Sequence, residues 1–194
     1  MDEVIKREVF GPTSESVSIA YRGKGIRTKQ AKLLRLSDMI LSNGSAGLID
    51  LNLNQKQVVQ SARCSPRMLN DYSWHRFVGT PKEGQSLDDV KSLLLEQIEK
   101  LKKGEFEDWL IDAVINDVKL RDTRNFETST GLGEAYYEAF IHNQDWVDKV
   151  EYYSELKKIS KQEIVDFANS FYRDNYVVTY KRKGQDKNLS LIHI

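Results

Sequence analysis

With 194 residues, 40% of them hydrophobic and 30% charged, the chain has the size and composition of one ordinary globular domain that can bury a sizeable core. Lys plus Arg and Asp plus Glu both total 29, so the formal charge is zero; no overall positive field exists to draw a phosphate backbone, and nucleic acid is not an expected partner. No apolar run approaches the roughly 20 residues that cross a bilayer, so no membrane partner is expected, and the single Cys64 excludes an internal disulfide and a multi-thiolate metal site while leaving the compartment open.

Residues 1–11 are charged and are read as a linker from a preceding domain. Ser16 to Tyr21 alternates Val17, Ile19 and Tyr21 with small residues, the period of a half-buried strand, and is expected to be the first strand. Thr28 can cap a helix running to about residue 43, where Asn43-Gly44 supplies a stop. Gly47 then opens a short helix whose Leu48, Ile49, Leu51 and Leu53 are expected in the core. Val58 to Cys64 and Asp71 to Gly79 read as a hairpin divided by Pro66 and Asn70, with Tyr72, Trp74 and Val78 alternating with more polar positions.

Ser86 caps a long amphipathic helix carrying Val90, Leu93, Leu94, Ile98 and Leu101, with lysines before Gly104. Glu107 to about Arg124 repeats the period and is expected to pack antiparallel to its predecessor across a short turn. Gly131 to Ile141, Trp146 to Leu156 and Lys161 to Tyr172 give three further helices, the last with Ser160 and Glu163 placed for a capping box. Val177 to Lys181 closes the chain as a strand. The order predicts an α+β fold, a mixed or antiparallel sheet with several helices packed on one face. The domain is expected over 12–183, with 184–194 a linker and an artefactual tail: Leu189 to Ile194 equals the translation of a transposon-end sequence used in preparing sequencing libraries.

Chemistry is sparse. None of His75, His142 and His193 has a second His or a Glu at the spacing that puts ligands on one helical face, so no metal ligand, cofactor-binding residue or catalytic residue is assigned. Cys64, beside Arg63, Ser65 and Pro66, lacks a nucleophile signature and reads as a structural thiol. Thr130-Gly131-Leu132-Gly133 and Gly23-Lys24-Gly25 do not complete a phosphate loop and read as turns. Asp88-Asp89 and Glu105, Glu107 and Asp108 suit helix starts. The aromatics of the second half, among them Trp109, Tyr136, Tyr137, Phe140, Trp146, Phe167 and Phe171, read first as core; a subset exposed on one face would instead receive an apolar side chain or a neighbouring domain.

The stretch Gly44 to Gln57, the strand through Ala62 and the upstream Ala20-Tyr21-Arg22 resemble the small-residue turn, short helix and strand of the carboxyl-side domain of M16 metallopeptidases, the pitrilysin and insulinase family. Gly104-Glu105-Phe106, Ile159 to Ala168, Tyr172 and Asp174 to Val178 resemble that domain's later helices and closing strand, so the likeness covers about residues 10–183. The resemblance implies a mitochondrial processing peptidase-like fold. It implies a parent enzyme whose halves close around unfolded peptides and whose zinc is held in another domain by H-x-x-E-H, a motif absent from this chain. The last domain of active members often carries an Arg and a downstream Tyr that contact substrate; the matching positions are Asn52 and Val59, or Asn54 and Ser61 in a shifted register, which favours the second domain. The implied role is a non-catalytic structural and substrate-chamber domain without a cofactor of its own. Its implied partners are the zinc-bearing domain, the second half of the parent and peptide substrates. The alternative is an inactive M16-like interaction subunit that binds a protein partner.

Overall fold

The computed structural model describes residues 3–185. Five strands form a mixed sheet in the order β1-β5-β2-β4-β3: β1 is Ile5–Gly11, β2 Ser16–Lys24, β3 Ser61–Met68, β4 Tyr72–Thr80 and β5 Val177–Lys183. Only β1 and β5 pair in parallel; β5 with β2, β2 with β4 and β4 with β3 are antiparallel. The helices are α1 Lys29–Leu41, α2 Leu87–Lys103, α3 Trp109–Phe126, α4 Ser129–Ile141, α5 Trp146–Lys157 and α6 Lys161–Phe171. The α+β class with a mixed sheet is as expected.

Strand alternation decides which face is covered. Val17, Ile19, Tyr21, Ala62, Cys64, Phe77 and Val178 are buried under α1 and α2, and α6 lies against both of those helices. Nine of the thirteen residues of α1 are buried, because the sheet lies on one side of it and α3 and α6 on the other. Gly79 of β4 permits this close approach: a Cβ there would stand 2.4 Å from Val90 Cγ1 of α2. Capping boxes fix the starts of α2 (Ser86 with Asp89) and α6 (Ser160 with Glu163), each contact worth about 1 kcal/mol. Gly104, at φ +70°, ends α2 in the left-handed region that an L side chain avoids.

Several expectations need correction. Ser16 to Tyr21 is not the first strand: Ile5–Gly11, expected to be only a linker, adds to the sheet edge. The exposed polar side chains of β1 gave no buried alternation to read. Pro66 lies inside β3 rather than in the turn, which falls at Leu69 to Asp71; β3 is an edge strand, where a residue without an N–H is tolerated. Within β4, Tyr72, Trp74 and Val78 point away from the helices, while Ser73, His75, Phe77 and Gly79 point into the core. Helix α3 packs against α1, α4 and α5 rather than against α2. Thr130 to Gly133 is not a turn but the first part of α4, capped by Thr128.

The short helix after Gly47 is present but wound as a π-helix over Asp50–Gln55. Leu48, Ile49 and Leu53 are buried as expected, whereas Leu51 is exposed. Asp50 organises the preceding loop: Oδ2 accepts the N–H groups of Asn43 and Gly44, both at 2.8 Å, and Oδ1 accepts the Ser42 hydroxyl. The expected tail, Leu189 to Ile194, and His193 lie outside the described residues.

Candidate functional site

The three histidine positions separate. His142 caps α4 and meets Asn70 Oδ1 at 2.9 Å, so it ties the helix end to the β3–β4 turn; His193 is outside the described residues. His75 is fully buried on β4, with Nε2 3.0 Å from Asp38 Oδ1 of α1 and Nδ1 2.7 Å from the Tyr172 hydroxyl after α6. The carboxyl oxygen is the natural acceptor, so Nε2 donates to Asp38 and Nδ1 accepts from Tyr172. Cys64 of β3 completes the group, its thiol donating weakly to the Asp38 carbonyl at 3.7 Å.

Sequence reasoning weighed Cys64 and His75 separately and missed Asp38, since no spacing rule joins a helix to two strands. Their donor atoms lie within 4.8 Å of one another, which makes this the one metal-like cluster among the described residues. The chemistry argues for a polar core tie instead. Asp38 and His75 already satisfy each other through a 3.0 Å hydrogen bond, and the other ring nitrogen of His75 is taken by the Tyr172 hydroxyl. Burial pushes the Cys64 thiol well up, with Asp38 adding to the effect, so the thiolate that a metal or a nucleophile needs is disfavoured. Burial also pushes the Tyr172 phenol up, which keeps its proton available for His75.

The positions matching the family's Arg and Tyr are structural as well. Asn52 donates to Gln97 Oε1 at 2.9 Å, and Val59 is buried. In the shifted register, the Asn54 side-chain amide pairs with both backbone groups of Ala62 at 2.8 Å, extending the ladder beyond β3, and Ser61 is exposed. Beside them Gln57, Gln60, Lys82 and Glu83 border a shallow open cleft of about 580 Å³ whose lining holds one carboxylate and one ammonium as its ionisable groups.

The aromatics divide in two. Tyr21, Phe77, Phe167, Phe171 and Tyr172 interlock in the core, for example Tyr21 on Tyr172 at 5.0 Å edge to face. On the outer helices Phe140 is 84% exposed, and Tyr137 and Val150 are each 64% exposed. Tyr136 stacks on Trp146 at 4.3 Å and Phe126 approaches the same indole, so α4 and α5 present a continuous apolar surface. Of α4 only Gly131, Ala135 and Ala139 are buried, which means the helix turns its small residues inward and its large ones out.

The described residues thus form an α+β domain with a hydrogen-bonded polar tie in its core and one apolar helical surface on α4 and α5. The chain belongs to the Peptidase M16 inactive domain family, whose sequence profile matches residues 2–118. It is 22% identical to the zinc protease PqqE of Helicobacter pylori, over 85% of this chain and 37% of that protein. A protease from Helicobacter pylori shares the fold at TM-score 0.85 and 19% identity, over 93% of this chain and 45% of its own. The peptidase M16 inactive domain from Pseudomonas fluorescens matches at TM-score 0.80 and 10% identity, over 95% of this chain and 44% of its own. The chain thus spans less than half the length of these relatives.

Proposed function

We propose that this chain is the structural and substrate-chamber domain of an M16-type zinc peptidase, whose metal and catalytic base lie in another domain. The α4–α5 surface carries the reading. An isolated domain rarely leaves Tyr137, Phe140, Val147 and Val150 in water together, whereas a domain seated on a neighbour hides them. The partners in this reading are the zinc-bearing domain, the second half of the parent and the peptides held between them. The role needs no metal, cofactor, nucleic acid or membrane contact by this chain, and among the described residues no helix is long and apolar enough to cross a membrane. Co-expression with the H-x-x-E-H domain encoded in the same frame tests it. The two are expected to co-purify and to cleave peptide only together, and Phe140→Asp is expected to break the pair. Absence of any such domain from the locus, with the chain instead recovered on another protein, would establish the inactive interaction subunit in its place.

A further inference from the structure

The face of the sheet away from the helices has a charge pattern that the overall balance conceals. Among the described residues, every charged side chain at the outward strand positions is Arg or Lys, although the chain as a whole is neutral. The acidic residues therefore lie elsewhere, on helices, turns and the inward side. None of the outward residues is buried, so no element of the described chain covers this face.

Register brings four arginines together. Arg22 of β2 and Arg67 of β3 flank Trp74 of β4 in one cross-strand row. Arg76 stands in the next row between Ala20 and Ser65, and Arg63 follows opposite Val78. Strands about 4.8 Å apart and same-face residues about 6.6 Å apart put all four within a few side-chain lengths of one another. Arg22 lies over the Tyr72 ring at 4.9 Å, and Tyr72 and Trp74 are 6.0 Å apart, so the cations surround an aromatic shelf. Among the described residues none of these four guanidinium groups is ion-paired with a carboxylate. Arg76 donates instead to the Ser18 hydroxyl at 2.9 Å.

Unpaired arginines beside an aromatic shelf have donor capacity to spare for carboxylates, which they bind through two parallel N–H groups. We propose that this face is a docking surface for acidic peptide segments, so that the chamber wall selects substrates rich in Asp and Glu. The proposal rests on the chamber reading above and supplies the substrate class. Charge complementarity identifies the occupant. A neighbouring domain would be received by the apolar α4–α5 surface, which is separate and helical. The same face continues basic through Lys181 and Lys183 of β5 and Arg7 of β1, so an oligonucleotide is the rival occupant that the test below has to exclude.

The test uses the 194-residue chain and dye-labelled decapeptides that are Glu-rich, Lys-rich or neutral, followed by fluorescence anisotropy at low salt. The Glu-rich peptide is expected to bind about tenfold tighter than the neutral one, to lose affinity as salt rises and to perturb Trp74 emission. Arg63→Glu with Arg67→Glu, both exposed edge-strand changes, is expected to weaken that binding about tenfold or more. Lys119→Glu with Arg124→Glu, the same change of net charge on α3, is expected to leave it within about twofold. Equal binding of neutral and Glu-rich peptides, or indifference to the β3 reversal, would overturn the charge assignment and leave the chamber reading standing. Failure of every peptide to bind, together with failure to pair with the zinc-bearing domain, would remove both. A single-stranded oligonucleotide of equal charge binding more tightly than the Glu-rich peptide would also overturn the assignment.

Discussion

Removing one oxygen tests the buried tie between strand and helices. Tyr172→Phe deletes the hydroxyl 2.7 Å from His75 Nδ1 and keeps the ring against Tyr21, Phe77 and Phe171. His75 is fully buried, so its nitrogen has no water to turn to, and an orphaned buried polar group costs about 2 kcal/mol. For a domain of this size that is a fall in Tm of about 4–8 °C. Urea unfolding followed by circular dichroism should show a lower midpoint with an unchanged slope. In a His75→Phe background the same change should cost less than about 0.5 kcal/mol, because no ring nitrogen remains to be orphaned. A loss below about 0.5 kcal/mol in the single variant, or the same loss in both backgrounds, refutes the reasoning. Chelation with EDTA should leave the parent Tm unchanged; a drop would make Asp38, Cys64 and His75 a metal centre rather than a hydrogen-bonded one.

Gly79→Ala should destabilise by about 1–3 kcal/mol through the 2.4 Å clash with Val90 Cγ1, and Val90→Ala should recover part of the loss in thermal melts. Glu163 is held down at about 2, first by the 2.5 Å contact from Lys29 and then by Ser160. Its contribution is therefore complete above the ordinary carboxyl value of 4.5 and is lost as pH falls toward about 2; carboxyl titration by NMR should place it there, and Lys29→Ala should raise it. Phe140→Ser should leave the unfolding free energy within about 0.5 kcal/mol while weakening co-purification with the zinc-bearing domain, because the ring is 84% exposed.

What could be read from the sequence was whatever is encoded locally. Helices α2 and α6 announce themselves through Ser86 and Ser160 and an apolar stripe at helical spacing, and β2 through strict alternation. Tertiary context overrode the local signal at β4. Trp74 and Tyr72 look like the apolar side of the strand, yet the helices cover Ser73, His75 and Gly79, because a glycine lets α2 approach and a histidine finds two partners. The partners of His75 stand far along the chain at Asp38 and Tyr172, so no window could have linked them. Strand β1 was invisible because its side chains face mostly solvent and its pairing comes from β5. The basic face required the register: a count of equal charges gives their sum, and only strand pairing shows which side each occupies.

The position of β5 also sets the order in which the molecule can be completed. The last strand of the domain does not add to an edge; it enters between β1 and β2, pairing in parallel with one and antiparallel with the other. Until Val177 to Lys183 has been synthesised, β1 has no neighbour and β2 shows the ribosome-side world an unpaired row of amides and carbonyls. Such edges invite other strands, and contacts of this sequence separation form slowly. A chain stopped short of Val177 would thus leave β1 and β2 each without the neighbour that β5 supplies, and should depend on chaperones or aggregate through β2.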